Sequence, residues 1–237
     1  TLYAALNALN STERKIITVE DPVEYRLPGL NQVQVMEKID MTFDRVLRSA
    51  LRQDPDVILV GEMRDKTTAE IGLRAAMTGH LVLSTLHTND AASTPARLID
   101  MGVPRWMVAL SLQLVAAQRL VRTLCASCAT PHDPNPQELA WLKRELGDEV
   151  AGKPLRYGRG CSECNHTGFK GRTGVYEFLE MSLPLIEALS DPEPRVFAKA
   201  ARVHMAGNTL RRDAARLVMA GRTTVDEAMR VSAQVDE

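Results

Sequence analysis

Four cysteines stand in two pairs, Cys125-Ala126-Ser127-Cys128 and Cys161-Ser162-Glu163-Cys164, and they are the chain's full complement of 4. Two such knuckles supply four thiolates, the donor set of a tetrahedral zinc site, with no cysteine left over for an open coordination position. The predicted metal is therefore structural, pinning a loop-rich segment that has little core of its own. His166 lies beside the second knuckle, but four thiolates already fill the site. A different chemistry gathers where apolar runs empty into acid. Val57-Ile58-Leu59-Val60 leads into Gly61-Glu62-Met63-Arg64-Asp65, the shape of a Walker B strand. At the carboxyl end of such a strand Glu62 can hold Mg²⁺ through water or polarise an attacking water. Lys15-Ile16-Ile17-Thr18-Val19 likewise runs into Glu20, Asp21 and Glu24, acids suited to Mg²⁺ or water activation beside a triphosphate. His80-Leu81-Val82-Leu83-Ser84 ends in Thr85 and His87, a hydroxyl and an imidazole placed to sense a γ-phosphate. Taken singly, each of these three segments also fits a strand that ends in a solvated turn, and His80 also fits a satisfied core histidine.

Elements must hold these groups in place. Leu2, Leu6 and Leu9 share one helical face, and the β-branched run after Lys15 reads as a strand. Pro28-Gly29 marks a turn, Gln32-Val33-Gln34-Val35 alternates like a half-buried strand, and Thr42 caps a helix running to about Arg52. Lys66 to Met77 reads as a helix, and the runs at 57–60 and 80–84 as buried strands. Alternating strands and helices predict an α/β domain with a largely parallel sheet. From Asp90 the pattern turns helical, through Ala91 to Met101 and Pro104 to Leu124, with Trp106 to Leu120 as a buried helix. The Pro-rich stretch at Pro131, Pro134 and Pro136 and the segment carrying Gly158, Gly160, Gly168, Gly171 and Gly174 read as irregular. The tail from Leu183 to Val231 reads as three or four short helices separated by Pro194, Gly207 and Gly221.

The run Leu51 to Asp65, with Gly61 in the place of the usual Walker B aspartate, resembles the signature of secretion and pilus motor ATPases. Ile17-Thr18-Val19-Glu20-Asp21-Pro22-Val23-Glu24-Tyr25 is similar to that family's aspartate box, and Thr78 to Asn89 is similar to its histidine box. The motifs fall in the family's order, and the likeness continues through the cysteine pairs and Gly171-Arg172-Thr173-Gly174-Val175-Tyr176-Glu177. The resemblance implies a RecA-like P-loop NTPase core at 1–122, a four-cysteine zinc insertion at 123–176 and a helical C-terminal subdomain at 177–237. It implies catalytic roles for Glu62, Glu24 and His87, and nucleotide contacts for Thr85, Arg97, Arg64 and Asp21. Arg97 equally suits a solvated helix face, and Arg45, Arg48 and Arg52 share a face that suits either solvent or a neighbouring subunit.

By the same resemblance the cofactors are ATP, Mg²⁺ and structural Zn²⁺. The partners are further copies in a hexameric ring, an inner-membrane platform protein, and an upstream domain of a kind that can bind cyclic di-GMP. The protein would work in the cytoplasm, peripherally at the bacterial inner membrane, in pilus assembly or type II secretion. Gly174 to Glu180 and Thr209 to Asp213 look nearest the mannose-sensitive-haemagglutinin-type pilus motors. No G-x-x-x-x-G-K-S/T loop occurs, so the phosphate cradle is expected immediately upstream of Thr1, and the fragment alone is expected to be inactive.

Composition narrows the classes. In 237 residues, 29 Lys plus Arg against 30 Asp plus Glu give no bulk attraction to nucleic acid, and 4% aromatics leave few platforms for stacking bases. No nucleic acid is expected as a partner, although a zinc-ribbon translocase is the competing class and an inactive structural paralogue a third. No apolar run is long enough to span a membrane.

Overall fold

The computed structural model describes residues 1–150 and 155–233, so residues 151–154 of the expected zinc segment and 234–237 of the expected helical subdomain lie outside the described residues. The chain forms two compact units, one of Thr1–Thr88, Ser93–Gln113 and Met181–Phe197, the other of Asn89–Ala92, Leu114–Glu180 and Ala198–Glu237.

The first unit is built on a parallel sheet ordered β2-β1-β3-β4, with β1 at Ile16–Glu20, β2 at Asn31–Gln34, β3 at Val57–Val60 and β4 at Leu81–Ser84. Side chains alternate across a strand, so Ile16, Val57 and Leu59 face one way and Ile17, Ile58 and Val60 the other. Helix α1 (Leu2–Leu9) covers the first face, with Leu6 at 0% exposed against Ile16, Val57 and Leu59. Emptying the Leu6 site by substitution with Ala should cost about 2–5 kcal/mol. Helices α2 (Phe43–Ala50) and α3 (Lys66–Met77) pack on the sheet and on each other. The α3 start is fixed by Asp65, whose side chain accepts from Thr68 N–H. Covered on both faces, β1 and β3 are buried throughout, whereas β4 leaves Leu81 45% exposed. Short helices α4 (Thr94–Asp100) and α5 (Arg105–Ser111) follow.

The expected buried helix from Trp106 to Leu120 is corrected by the structure. Helix α5 stops at Ser111, and Leu114–Leu124 is strand β5 of the second unit. Ala, Leu, Gln and Arg favour helix locally, but Val115, Ala117 and Val121 also alternate, and the long partner strand β8 (Phe169–Glu180) supplies an antiparallel ladder from Leu114↔Glu180 to Leu124↔Phe169. Cross-strand packing overrides helix propensity here. The predicted boundaries at 122/123 and 176/177 fall inside β5 and β8. The stretch expected to be irregular carries β6 (Ala129–His132) paired with β7 (Leu155–Gly158), beside helix α6 (Pro136–Leu146), which Asn135 and Glu138 cap reciprocally. The tail is helical as expected: α7 (Leu183–Ser190), α8 (Pro194–Met205), α9 (Leu210–Met219) and α10 (Val225–Ala233).

Candidate functional site

At the carboxyl ends of β1, β3 and β4 the first unit opens a cleft of about 290 Å³, lined by Leu2, Tyr3, Glu20, Asp21, Pro22, Glu24, Leu59, Gly61, Glu62, Thr85 and His87. In open α/β sheets ligands bind in the crevice outside the carboxyl ends of the strands. A roomier groove of about 630 Å³, reaching from Lys15 and Asn31 to Arg45 and Gln53, lies near the strands' amino ends, away from the converging acids. Gly61 lets the strand ends close up: a Cβ there would meet the Val19 carbonyl oxygen at 3.1 Å and Glu20 Cα at 3.3 Å. That close approach is set by the bond from Gly61 N–H to Val19 O, 2.7 Å. Thr85 stitches β4 to the same point, its hydroxyl donating to Gly61 O at 2.7 Å and its carbonyl accepting from Met63 N–H at 3.1 Å.

Glu62 is paired on both sides. Arg64 donates to its Oε1, and His87 Nε2 lies 3.3 Å from its Oε2. Arg64, first through its hydrogen bond and then by charge, holds the Glu62 carboxyl below the usual carboxylate range, with His87 adding and burial opposing. Glu62 is thus kept ionised and is a weak proton acceptor, better fitted to hold a cation's water or to orient a nucleophile than to strip a proton unaided. Arg64 also reaches toward Asp21 Oδ2, 3.6 Å away. With side chains 57% and 38% exposed, that pair is weak and easily exchanged for another anion.

The structure therefore brings together Glu62, Glu24, Asp21, Thr85, His87 and Arg64, as the motifs predict, but not Arg97, which is exposed on α4 and does not line the cleft. Of the three clustered acids, Glu20 is turned inward, 4% exposed, with Thr18 Oγ1 and Gln32 Nε2 donating to its Oε1 and Tyr3 Oη to its Oε2. It anchors the turn and is not free for a cation. Tyr3 is the residue that sequence reasoning missed. Its hydroxyl also accepts from Glu24 N–H at 3.2 Å, and its ring meets Tyr25 edge-on at 4.6 Å, so α1 holds the acid turn in place. Burial, then Glu20, pushes its phenol above the ordinary range, so it stays a donor. Only its place on the apolar face of α1 could have signalled it. His80 proves a local structural group, with Nδ1 2.9 Å from Ala75 O and 3.2 Å from Thr78 Oγ1.

In the second unit Cys125, Cys128, Cys161 and Cys164 bring their sulfurs within 4.8 Å of one another. The Cys125–Cys161 and Cys128–Cys164 pairs stand at 3.9 Å and Cys161–Cys164 at 3.7 Å. A disulfide requires about 2.05 Å. Four sulfurs at zinc's ~2.3 Å bond length in a tetrahedron stand roughly 3.8 Å apart, so the cluster fits that geometry. Burial opposes ionisation of Cys164, yet N–H groups of Cys161 and Gly168 aimed at its sulfur from 3.2 and 3.3 Å bring its thiol down to about 6. Burial chiefly pushes Cys128 up to about 11, so a dication bound there would displace its proton. Nearby, Arg122 and Arg230 clasp Glu227, whose side chain is 0% exposed.

A family model described as "Type II/IV secretion system protein" matches residues 1–230. Type II secretion system protein E of Aeromonas hydrophila is 46% identical over 234 residues, covering 98% of this chain and 46% of its own length. Type IV pilus assembly ATPase PilB of Myxococcus xanthus is 43% identical over 230 residues, covering 97% of this chain and 40% of its own. The chain thus spans less than half the length of these curated relatives. Among solved structures, the pilus retraction motor PilT with bound ADP superposes with a TM-score of 0.69 at 30% identity, over 98% of this chain and 57% of that one. The expected RecA-like α/β fold with its parallel sheet is borne out by that likeness.

Proposed function

Because the chain belongs to the type II/IV secretion system protein family, we propose that it is the hydrolytic and sensing half of a motor ATPase site, turning ATP into ADP and phosphate. The observation that carries this reading is the convergence of Glu62, Glu24, Asp21, Thr85 and His87 from separate strand ends on one cleft.

In this mechanism Glu62 and Glu24 orient the attacking water, Glu62 through a carboxylate that Arg64 and His87 keep charged before the nucleotide arrives. Asp21 helps hold the cation's water shell. Mg²⁺, when bound with the nucleotide, would neutralise charge on the phosphates. His87 and Thr85 contact the γ-phosphate end, and Arg64 exchanges its carboxylate partners for phosphate oxygens. Arg97 keeps its nucleotide contact by family resemblance alone, since it does not line this cleft. The phosphate cradle comes from the part of the relatives' length that this chain does not span. The four thiolates hold Zn²⁺ as a structural ion within 123–176, and 177–237 acts as a helical subdomain.

At the level of the whole protein, we assign a hexameric ring at the cytoplasmic face of the inner membrane, driving a platform protein in pilus assembly or type II secretion, with an upstream domain as further partner. The relatives at 46% and 43% identity include both kinds of machine, which supports the general role rather than either one. Titration calorimetry tests the division of labour. A protein extended upstream through the phosphate-binding loop should bind MgATP, and this chain alone should bind it poorly. Tight Mg²⁺-dependent binding by the 237 residues alone would contradict it.

A further inference from the structure

Glu24 lines the cleft with an exposed side chain, and among the described residues nothing hydrogen-bonds its carboxylate. It lies between β1 and β2, where no strand ladder runs. What places this acid is therefore the course of the main chain from Val23 to Leu27. That course is fixed by side chains of β2 and α1, all within the first unit. Gln32 and Gln34 stand two apart on β2 and so share one face of the sheet, in register with Thr18 and Glu20 of β1.

Gln32 is only 8% exposed, so its amide must find partners inside the fold. It finds them just after Glu24: Nε2 donates to Tyr25 O at 3.2 Å, and Oε1 accepts from Leu27 N–H at 2.7 Å. The amide can face only one way, because Leu27 N–H can only donate and Tyr25 O can only accept. Nε2 also donates to Glu20 Oε1 at 3.2 Å and reaches toward Tyr3 Oη at 3.4 Å. Just before Glu24, Gln34 Oε1 accepts from Val23 N–H at 3.3 Å. The N–H of Glu24 itself goes to Tyr3 Oη at 3.2 Å. Residues 23, 24, 25 and 27 are thus each tied through a main-chain group, and Arg26 Nη1 closes the arrangement by donating to Gln32 O at 2.8 Å.

We infer that Gln32 is a positioning residue for Glu24: its amide, flanked by Gln34 and Tyr3, shapes the turn so that the backbone delivers the Glu24 carboxylate to the cleft. A glutamine suits this place because it must donate and accept at once beside the Glu20 carboxylate. The inference rests on the hydrolytic reading of Glu24 above.

Gln32→Met keeps the length of the side chain but leaves Tyr25 O and Leu27 N–H without their partner. In this chain, the variant should speed amide exchange at Val23, Glu24 and Leu27. In the upstream-extended protein it should lower kcat about 10- to 100-fold with KM for ATP changed less than about twofold, as expected for a misplaced group rather than lost binding. Gln32→Asn, which withdraws the intact amide by one methylene, should act in the same direction, and carries the test if Gln32→Met does not fold. Added to Glu24→Gln, either variant should lower kcat by less than about a further twofold, since no acid is left to position. A full further loss on that background means that Gln32 serves the fold at large, and overturns the inference. Asn10→Ala removes the bond from Asn10 Nδ2 to Pro28 O, 2.9 Å, at the far end of the same loop, and should leave kcat unchanged. If it reproduces the Gln32→Met effects, general loosening of the loop is responsible and the inference is overturned. If Glu24→Gln lowers turnover while Gln32→Met and Gln32→Asn leave kcat unchanged, the inference fails and the hydrolytic reading stands. If Glu24→Gln leaves turnover intact, the hydrolytic role of Glu24 fails, and the inference is overturned with it.

Discussion

Glu62 in the first unit and Glu227 in the second each sit between two cationic or potentially cationic side chains, Arg64 and His87 for one, Arg122 and Arg230 for the other. Both carboxyls are held below their usual range, Glu62 mainly by Arg64, and Glu227, at about 2, by Arg230 and Arg122 working against burial. Their surroundings differ. The Glu62 side chain is 16% exposed in a cleft, and its partners His87 and Arg64 are 89% and 57% exposed. Glu227 is 0% exposed, and its two oxygens accept from Arg122 N–H, Nε and Nη2 and from Arg230 Nε and Nη2. One acid has partners that a phosphate can draw away, and the other has every acceptor position filled from within the fold. A paired carboxylate marks a candidate site only where its partners can leave.

The second unit should accordingly break by unfolding and the first by losing chemistry. The largest effect is expected from Cys125→Ser, since structural zinc contributes about 10–16 kcal/mol of binding free energy to small thiolate sites. Metal analysis and melting should show lost zinc and a destabilised second unit, and a variant with full zinc and an unaltered melt would refute the four-thiolate site.

Next is Glu227→Gln, which leaves two arginines facing a neutral amide and should cost about 3 kcal/mol in urea unfolding, with turnover kept below the melting range. The pH dependence has a definite sign. The folded-state value of about 2 lies below the ordinary 4.5, so this stability is fully present above pH 4.5 and is lost as pH falls toward 2. Glu227→Gln should remove that part of the acid dependence, and an unchanged acid limb would place the stabilisation elsewhere.

A smaller effect, about 1–3 kcal/mol, is expected from Gly61→Ala, whose Cβ would press on the Val19 carbonyl and spread the strand ends. Smallest is Arg64→Gln. On an exposed pair it should change stability by no more than about 1 kcal/mol. It should, however, let the Glu62 carboxyl rise, moving the acid limb of the pH–rate profile of the extended protein to higher pH. An acid limb that does not move would remove Arg64 from the control of Glu62.

What could be read in the sequence followed from how local its causes are. Apolar runs that stop at an acid, as at Val60-Gly61-Glu62, mark strand ends because burial and charge switch within two residues. The cysteine pairs were legible because their spacing is itself the ligand geometry. Strand β5 was not, since its Ala, Leu, Gln and Arg residues favour helix until β8, far along the chain, offers a ladder. Tyr3 and Glu177 were not legible as anchors for a related reason. Tyr3 meets Glu20 across 17 positions, and Glu177 meets Ala91 and Leu210 across 86 and 33, distances over which no periodicity carries information.

The central claim is that Glu62 acts on ATP rather than on stability, and one substitution tests it most directly. In a protein extended upstream through the phosphate-binding loop, Glu62→Gln should lower phosphate release by a factor on the order of 10³ or more while ATP binding and the melting temperature stay near wild type. Turnover that survives Glu62→Gln unchanged would contradict the account.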